Sequence, residues 1–341
     1  MSTHDLSWLT PDIAATQAHH RARVAALYAG QPIPGGGIVR IAGPAFGKAH
    51  GLAGKNDPDM LRDPDYWIAD VLADMAARRD LLADRDVFCP AAIHLDPLGV
   101  HFVDAIFGAN VYIHGPQFWS DELPGDVGDL QPPDIEACPI FRQAAILAHK
   151  AVEASQGWLL VGAPVLSCAI NTAINLYSQR FLTALVDSPD DARRAVRIIT
   201  DAMITLTRAF EKIIPDPIRR TSVPENRYAP PGHGLIDGCA TQLVSARQYQ
   251  EYFLEADGLA LGSNPYGGMI HLCGAHRQHI PVWRAMRALG AVQLNDRATD
   301  DLPYYLAGLR TDQILYVAPT EKYPAERVLA LVDPRRLVLQ A

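Results

Sequence analysis

The segment Gly267-Gly268-Met269-Ile270-His271-Leu272-Cys273-Gly274 places an imidazole and a thiol two residues apart. Its apolar residues predict a strand, and on a strand residues i and i+2 point to the same face. A neutral imidazole and a thiolate suit Zn²⁺, which takes N and S ligands in a tetrahedron. Gly274 permits a tight turn, and His276 and His279 follow it. On spacing alone a plainer reading carries more weight, that of a buried strand cysteine beside a satisfied core histidine. His-x-Cys supplies only two ligands, and zinc needs at least three.

Two neighbouring apolar runs also end in polar groups. Asp237-Gly238-Cys239 closes the run before, and Gln293-Leu294-Asn295-Asp296 closes the run after. Polar residues converging from adjacent strand ends are what an active site in a parallel barrel requires. Asp237 and Asn295 are therefore candidate catalytic residues. Asp296 reads equally as the N-cap of a following helix. Asp96, in His94-Leu95-Asp96-Pro97, is either catalytic or a turn residue. Cys89, Cys138 and Cys168 read as core or surface thiols, and His19, His20, His50, His101 and His149 as solvated surface residues. Gly35-Gly36-Gly37 precedes a strand instead of following one, so it is no dinucleotide fingerprint. GxxxxGK[ST], GxSxG and HExxH are absent, which removes P-loop, α/β-hydrolase and zincin readings.

Positioning these groups takes a repeated scaffold, and the chain has one. Short β-rich runs recur at Ile38 to Ile41, Val87 to Ile93, Trp158 to Val161, Gly234 to Cys239, Met269 to Cys273, Val292 to Asn295, Gln313 to Val317 and Leu337 to Gln340. Amphipathic stretches separate most of them. Ser188-Pro189-Asp190-Asp191 predicts a capping box with proline at the first helical position, opening a helix with Val196, Ile199, Met203, Leu206 and Phe210 on one face. Asp63-Pro64 opens another, with Trp67, Val71 and Met75 on one face. Eight strands alternating with helices predict a (β/α)8 TIM-type barrel, with a doubly wound open sheet as the competitor. Residues 5–30 predict an extra helix covering one barrel end. Residues 96–140 and 215–234 are long loops whose aromatics, Trp119 and Tyr228 among them, read as substrate-contacting lids over the mouth that contains His271.

Composition sets the outer bounds. The chain has 341 residues, 49% hydrophobic and 20% charged, enough for a large core in one domain spanning 1–341. Lys plus Arg number 30 against 38 for Asp plus Glu, a net charge of −8, which disfavours nucleic acid and anionic membrane surfaces as partners. With five cysteines and no export signal at residues 1–9, the expectation is a cytoplasmic chain with reduced thiols.

At this level the residues carry a family resemblance. Ile270-His271-Leu272-Cys273-Gly274, then a helix, then Ala291-Val292-Gln293-Leu294-Asn295-Asp296 resembles the uroporphyrinogen decarboxylase superfamily. Asp237 to Ala246 with Tyr249 and Phe253, and Asn175 to Asp191 upstream, are similar to further segments of that superfamily in the same order. The resemblance spans about residues 35 to 330. It implies a (β/α)8 barrel with its site at the C-terminal strand ends. True decarboxylases resemble one another in an Arg-Gln-Ala-Gly-Arg segment. This chain has Arg40-Ile41-Ala42-Gly43-Pro44-Ala45-Phe46, with one arginine, too few cations for a tetraacetate substrate.

The resemblance is nearer to the corrinoid:thiol (methylcobalamin:coenzyme M-type) methyltransferase branch, which binds zinc through His-x-Cys and a distant third cysteine. His271 and Cys273 match the first two ligands. No cysteine follows Cys273, and the chain stops at Leu339-Gln340-Ala341, about where the third would lie, so either the C-terminal end is incomplete, or another residue supplies the ligand, or no zinc binds. Cys239 is the preferred substitute, because adjacent strands lie ~4.8 Å apart. Asp237 and Glu321 are weaker choices.

Three functions follow. The first is a zinc-dependent methyltransferase activating a small-molecule thiol for methyl transfer from a corrinoid. Methylcobalamin would be the co-substrate, on a separate corrinoid protein, with Asp237 and Asn295 orienting the site. The second is a metal-free decarboxylase or lyase acting on a carboxylated substrate, with Asp96 as the acid group and Arg40 as the carboxylate anchor. The third is a non-catalytic binder of a tetrapyrrole or corrinoid.

Overall fold

All eight apolar runs form strands. A computed structural model describes residues 5–43, 59–115, 117–220 and 227–341. His50, Pro224 and the Pro44 to Phe46 part of the resemblance lie outside these residues. The strands are β1 (Val39–Ile41), β2 (Ala92–His94), β3 (Val111–His114), β4 (Gln117–Ser120), β5 (Leu160–Gly162), β6 (Leu166–Ser167), β7 (Arg219–Arg220), β8 (Gly234–Asp237), β9 (Gly268–Leu272), β10 (Leu289–Leu294), β11 (Ile314–Val317) and β12 (Leu337–Gln340).

Seven of them make one sheet in the order β1-β12-β11-β10-β9-β8-β6, parallel throughout. A second parallel sheet runs β2-β5-β7, and an Ile41–Phe88 bridge links β1 to the segment leading into β2. β3 and β4 form a separate antiparallel hairpin. The fold is mixed α/β with a mostly parallel sheet, consistent with a TIM-like arrangement.

The helices form where the sequence signals stand. Helix α1 (Pro11–Tyr28) starts at Thr10, whose side chain accepts from the Ile13 N–H. Helix α2 (Pro64–Ala77) starts at Asp63, which accepts from the Tyr66 N–H. Helix α3 spans Pro139–Ser155, α4 Ala169–Tyr177 and α5 Pro189–Ile213. In α5, Val196, Ile199, Met203, Leu206 and Phe210 are all buried. Such side chains contribute roughly 1.5–3 kcal/mol each on burial. Ser188 stands at its N-cap, but its side chain makes no capping bond, so the expected box is not formed. Proline at the first turn and the acidic Asp190 and Asp191 start that helix instead.

Strand alternation divides the core in two. Ile270, Leu272, Val292, Leu294, Leu337 and Leu339 join the large cluster with the helices. Val39, Ile41, Met269, Ala291, Tyr316 and Val338 join a smaller cluster on the other, inner face, closed by Val24 and Leu27 of α1. This period of two decides which polar residues meet. His271, Gln293 and Gln340 lie two residues beyond Met269, Ala291 and Val338, so they fall on the inner face.

Arg40 lies between Val39 and Ile41 and is exposed on the outer face. Its expected role as a carboxylate anchor inside the mouth is corrected by that alternation. Tyr228 is also relocated: it is 2% exposed in the inner cluster, its ring 5.1 Å from Phe88, and its carbonyl accepts from the Tyr316 hydroxyl. The tyrosine is a core residue beside α1 and no lid, because its ring has apolar partners there that solvent cannot offer. Among the described residues no helix is long and apolar enough to cross a membrane.

Candidate metal centre and adjoining cavity

β8 and β9 pair in parallel with Asp237 opposite His271. Two residues further along each chain stand Cys239 and Cys273, the first opening a 3-10 turn, Cys239–Leu243. One ligand atom from each of Cys239, His271 and Cys273 lies within 4.8 Å of the other two. Sulfurs bound to one zinc at ~2.3 Å can stand at most ~4.6 Å apart, so the donors need little movement to share an ion. A Cys-His-Cys set of this kind could bind a metal such as zinc.

Backbone fit brings the two thiols together. The Gly238 N–H donates to the His271 carbonyl at 2.8 Å, and a Cβ on Gly238 would stand 2.6 Å from Ile270 Cδ1. A larger residue there would have to displace the Ile270 side chain to let the end of β8 lie so close to β9. His276 then ties the two turns to each other. Its Nε2 accepts from the Gly274 N–H at 3.0 Å, and its Nδ1 meets Thr241 Oγ1 at 2.8 Å. Thr241 donates its own proton to the Gly238 carbonyl, so His276 Nδ1 carries the hydrogen and donates it. Burial lowers His276 to about 3, keeping it neutral. His279 Nε2 bonds the Thr241 carbonyl at 2.8 Å, and burial lowers its pKa as well. Both histidines brace the loops.

Cys239 keeps its proton beside Cys273. The neighbouring Cys239 thiol, then the His271 imidazole, pulls the Cys273 thiol well below the usual thiol range. Donation to Cys273, together with burial, pushes Cys239 up. A metal would take the place of that proton.

His271 is oriented from behind. Its Nδ1 is hydrogen-bonded to Gln293 Oε1, its register partner on β10. Gln293 Nε2 in turn donates to Gln340 Oε1 at 3.0 Å. Both glutamines are buried. In this arrangement Nδ1 carries the proton and Nε2 keeps its lone pair for a ligand. The two glutamines were missed as site residues, although a polar residue two positions beyond an inner apolar residue of the same strand is a usable signal.

A cavity of about 650 Å³ adjoins this centre, lined by Asp96, His101, Trp119, Asn175, Arg227 and Asp237 among others. Asp237 belongs to both places: it lines the cavity and stands in register beside His271. It is 2% exposed, and Arg227 Nη1 donates to its Oδ1 at 2.6 Å. Trp119, from the β3–β4 hairpin, and Asp96, just past β2, both line this cavity.

Asn295 lies beyond β10, half-buried, its side chain bonded to Asp296. Asp296 takes the N-cap place without a side-chain cap bond, at φ +47°, a conformation costly for any residue but glycine. Glu321 is exposed and stands apart from the thiols. His101, expected as a solvated surface residue, is instead only 12% exposed and lines the cavity, and Arg227 went unrecognised because it lies near no motif.

No family model and no curated sequence matches the chain. Among solved structures, a methyltransferase from Methanosarcina mazei matches with a TM-score of 0.65 at 12% identity, over 94% of this chain and 92% of its own. At that identity the likeness is one of fold.

Proposed function

We propose that this chain is a methyltransferase of the uroporphyrinogen decarboxylase-like barrels, using zinc held by Cys239, His271 and Cys273 to activate a thiol. The observation that carries the reading is the approach of those three donors at the ends of adjacent strands, beside a cavity sized for a small molecule. The fold likeness to a solved methyltransferase supports it. The strand order suits one closed (β/α)8 barrel domain over 1–341: β12 pairs β1, Phe88 bridges β1 toward β2, β2 pairs β5, and residues 163–165 join β5 to β6 beside β8.

Zinc, when bound, lowers the pKa of a thiol ligand so that it is a thiolate at neutral pH. The chain's own residues do the rest. Cys239, His271 and Cys273 would hold the ion, and three protein ligands are the number that catalytic zinc sites use. Gln293 and Gln340 hold the His271 tautomer. Asp237, neutralised by Arg227, shapes the wall between centre and cavity without adding net charge. Phe118 and Trp119 give the thiol's carbon skeleton an apolar wall and exclude water. The methyl group comes from a corrinoid, methylcobalamin on a separate protein that docks at the mouth. A cytoplasmic setting suits a chain whose cysteines are reduced thiols.

The decarboxylase reading loses its anchor, since Arg40 is on the outer face. The test is the metal content of the purified chain and its ability to demethylate free methylcobalamin with a simple thiol. About one zinc per chain and thiol-dependent loss of the methylcobalamin spectrum are expected. A chain that takes up no zinc on reconstitution overturns the reading.

A further inference from the structure

Behind the cavity wall lies a carboxylate that the thiol chemistry above does not use. Asp104, in the short helix Phe102–Ile106, is 0% exposed. Three groups from three elements converge on its Oδ2. His101 Nδ1 stands at 2.7 Å, Asn175 Nδ2 of α4 at 2.8 Å and Ser120 Oγ at the end of β4 at 3.4 Å. Asp104 Oδ1 has no hydrogen-bond partner among the described residues.

His101, Asn175 and Ser120 all line the 650 Å³ cavity. Asp104 therefore acts as a buried post that aims three polar side chains at one space. Burial pushes its carboxyl above the ordinary carboxylate range, and the bonds from His101, Asn175 and Ser120 offset only part of that rise. Three donors and no acceptor fit the ionised form.

The consequence falls on His101. Its Nδ1–H is committed to Asp104, and the imidazole is 12% exposed, with no partner for Nε2 among the described residues. A buried carboxylate behind an imidazole fixes the tautomer and stabilises the imidazolium, while the far nitrogen meets the substrate. We infer that His101 and Asp104 form the proton-transfer dyad of this cavity, with His101 Nε2 accepting the proton of a small-molecule thiol bound there. The inference rests on the thiol-activation reading for its substrate class. In the step, the S–H bond breaks, its electron pair stays on sulfur, and the proton forms an N–H bond at His101 Nε2. That proton then passes to water at the open side of the cavity. His101 is the catalytic residue in this scheme and Asp104 the positioning residue. The charged groups sharing the wall with His101 are Asp96, Glu122, Arg227 and Asp237.

The experiment uses the full zinc-loaded chain with 2-mercaptoethanol as probe. Nitrogen-15 spectra of labelled histidines report the His101 tautomer. Nδ1–H is expected in wild type and a shift toward Nε2–H in Asp104→Asn. Thiol-dependent demethylation of methylcobalamin is expected to fall about 10²- to 10⁴-fold in kcat for His101→Gln, with zinc content unchanged. Asp104→Asn is expected to fall between the two.

A His101→Gln chain with wild-type rate overturns the dyad. So does an Nε2–H tautomer in wild type, or a tautomer that does not respond to Asp104→Asn. If the wild-type chain binds zinc but transfers no methyl group, the thiol reading fails while the spectra still judge the dyad. In that case an unshifted His101 ring on thiol addition overturns it.

Discussion

Asp237 and His271 are register partners across β8 and β9, and two residues beyond them Cys239 and Cys273 bring their sulfurs within 4.8 Å of each other. A single ladder thus sets the spacing of the thiols and delivers a carboxylate to the cavity wall. Disturbing the ladder at one place should be felt at both.

Each ligand is expected to be necessary for metal. Cys239→Ala, His271→Ala and Cys273→Ala should each drop zinc well below one per chain, measured by mass spectrometry after dialysis. Cys89→Ala, a buried thiol outside the cluster, should leave it unchanged. Full zinc in Cys239→Ala would remove that residue from the ligand set.

Gln293 should matter although it touches no ion. Replacing it with leucine frees His271 Nδ1 from its acceptor, and such outer partners are worth about 10- to 100-fold in metal affinity. Competition with a chromophoric chelator reads this directly, with Gln340→Leu expected to have a smaller effect of the same sign. Affinity unchanged in both would mean that the ring is held by packing alone.

Thr241 carries the brace between the two turns. Thr241→Val removes the hydroxyl that accepts from His276 and donates to Gly238, leaving a buried imidazole N–H unpaired. A loss of roughly 1–3 kcal/mol in denaturant unfolding is expected. A variant as stable as wild type would show that His276 finds another partner.

Asp257 gives the protein a pH signature of its own. It is fully buried, accepts from the Tyr249 hydroxyl at 2.6 Å, and burial raises it to about 7. The folded chain holds this proton more tightly than the unfolded chain does. The resulting stability is fully present below the unfolded value near 4 and is lost as pH rises through about 7. The loss is on the order of a few kcal/mol. Asp257→Asn should flatten that part of the profile, and the stability difference between wild type and variant should change between pH 4 and 7. A constant difference over that window would place the carboxyl's pKa near its ordinary value.

Much was legible before any coordinates. The eight strands follow from short β-rich runs ended by Gly, Pro, Asn or Asp, since a two-residue period and its terminators are local properties of the chain. The shared face of His271 and Cys273 follows from the same period. Cys239 beside them follows from the adjacency of consecutive parallel strands. What tertiary structure alone decided is which distant residues meet these groups. Arg40 and Tyr228 went astray because a residue's face, or its path into the interior, depends on partners far along the chain. Gln340 reaches Gln293 from 47 positions away, and Asn175 reaches Asp104 from 71. No period encodes such separations. They arise when the sheet brings β12 near β10 and the hairpin and α4 close over one buried carboxylate, where an unpaired polar group would be costly.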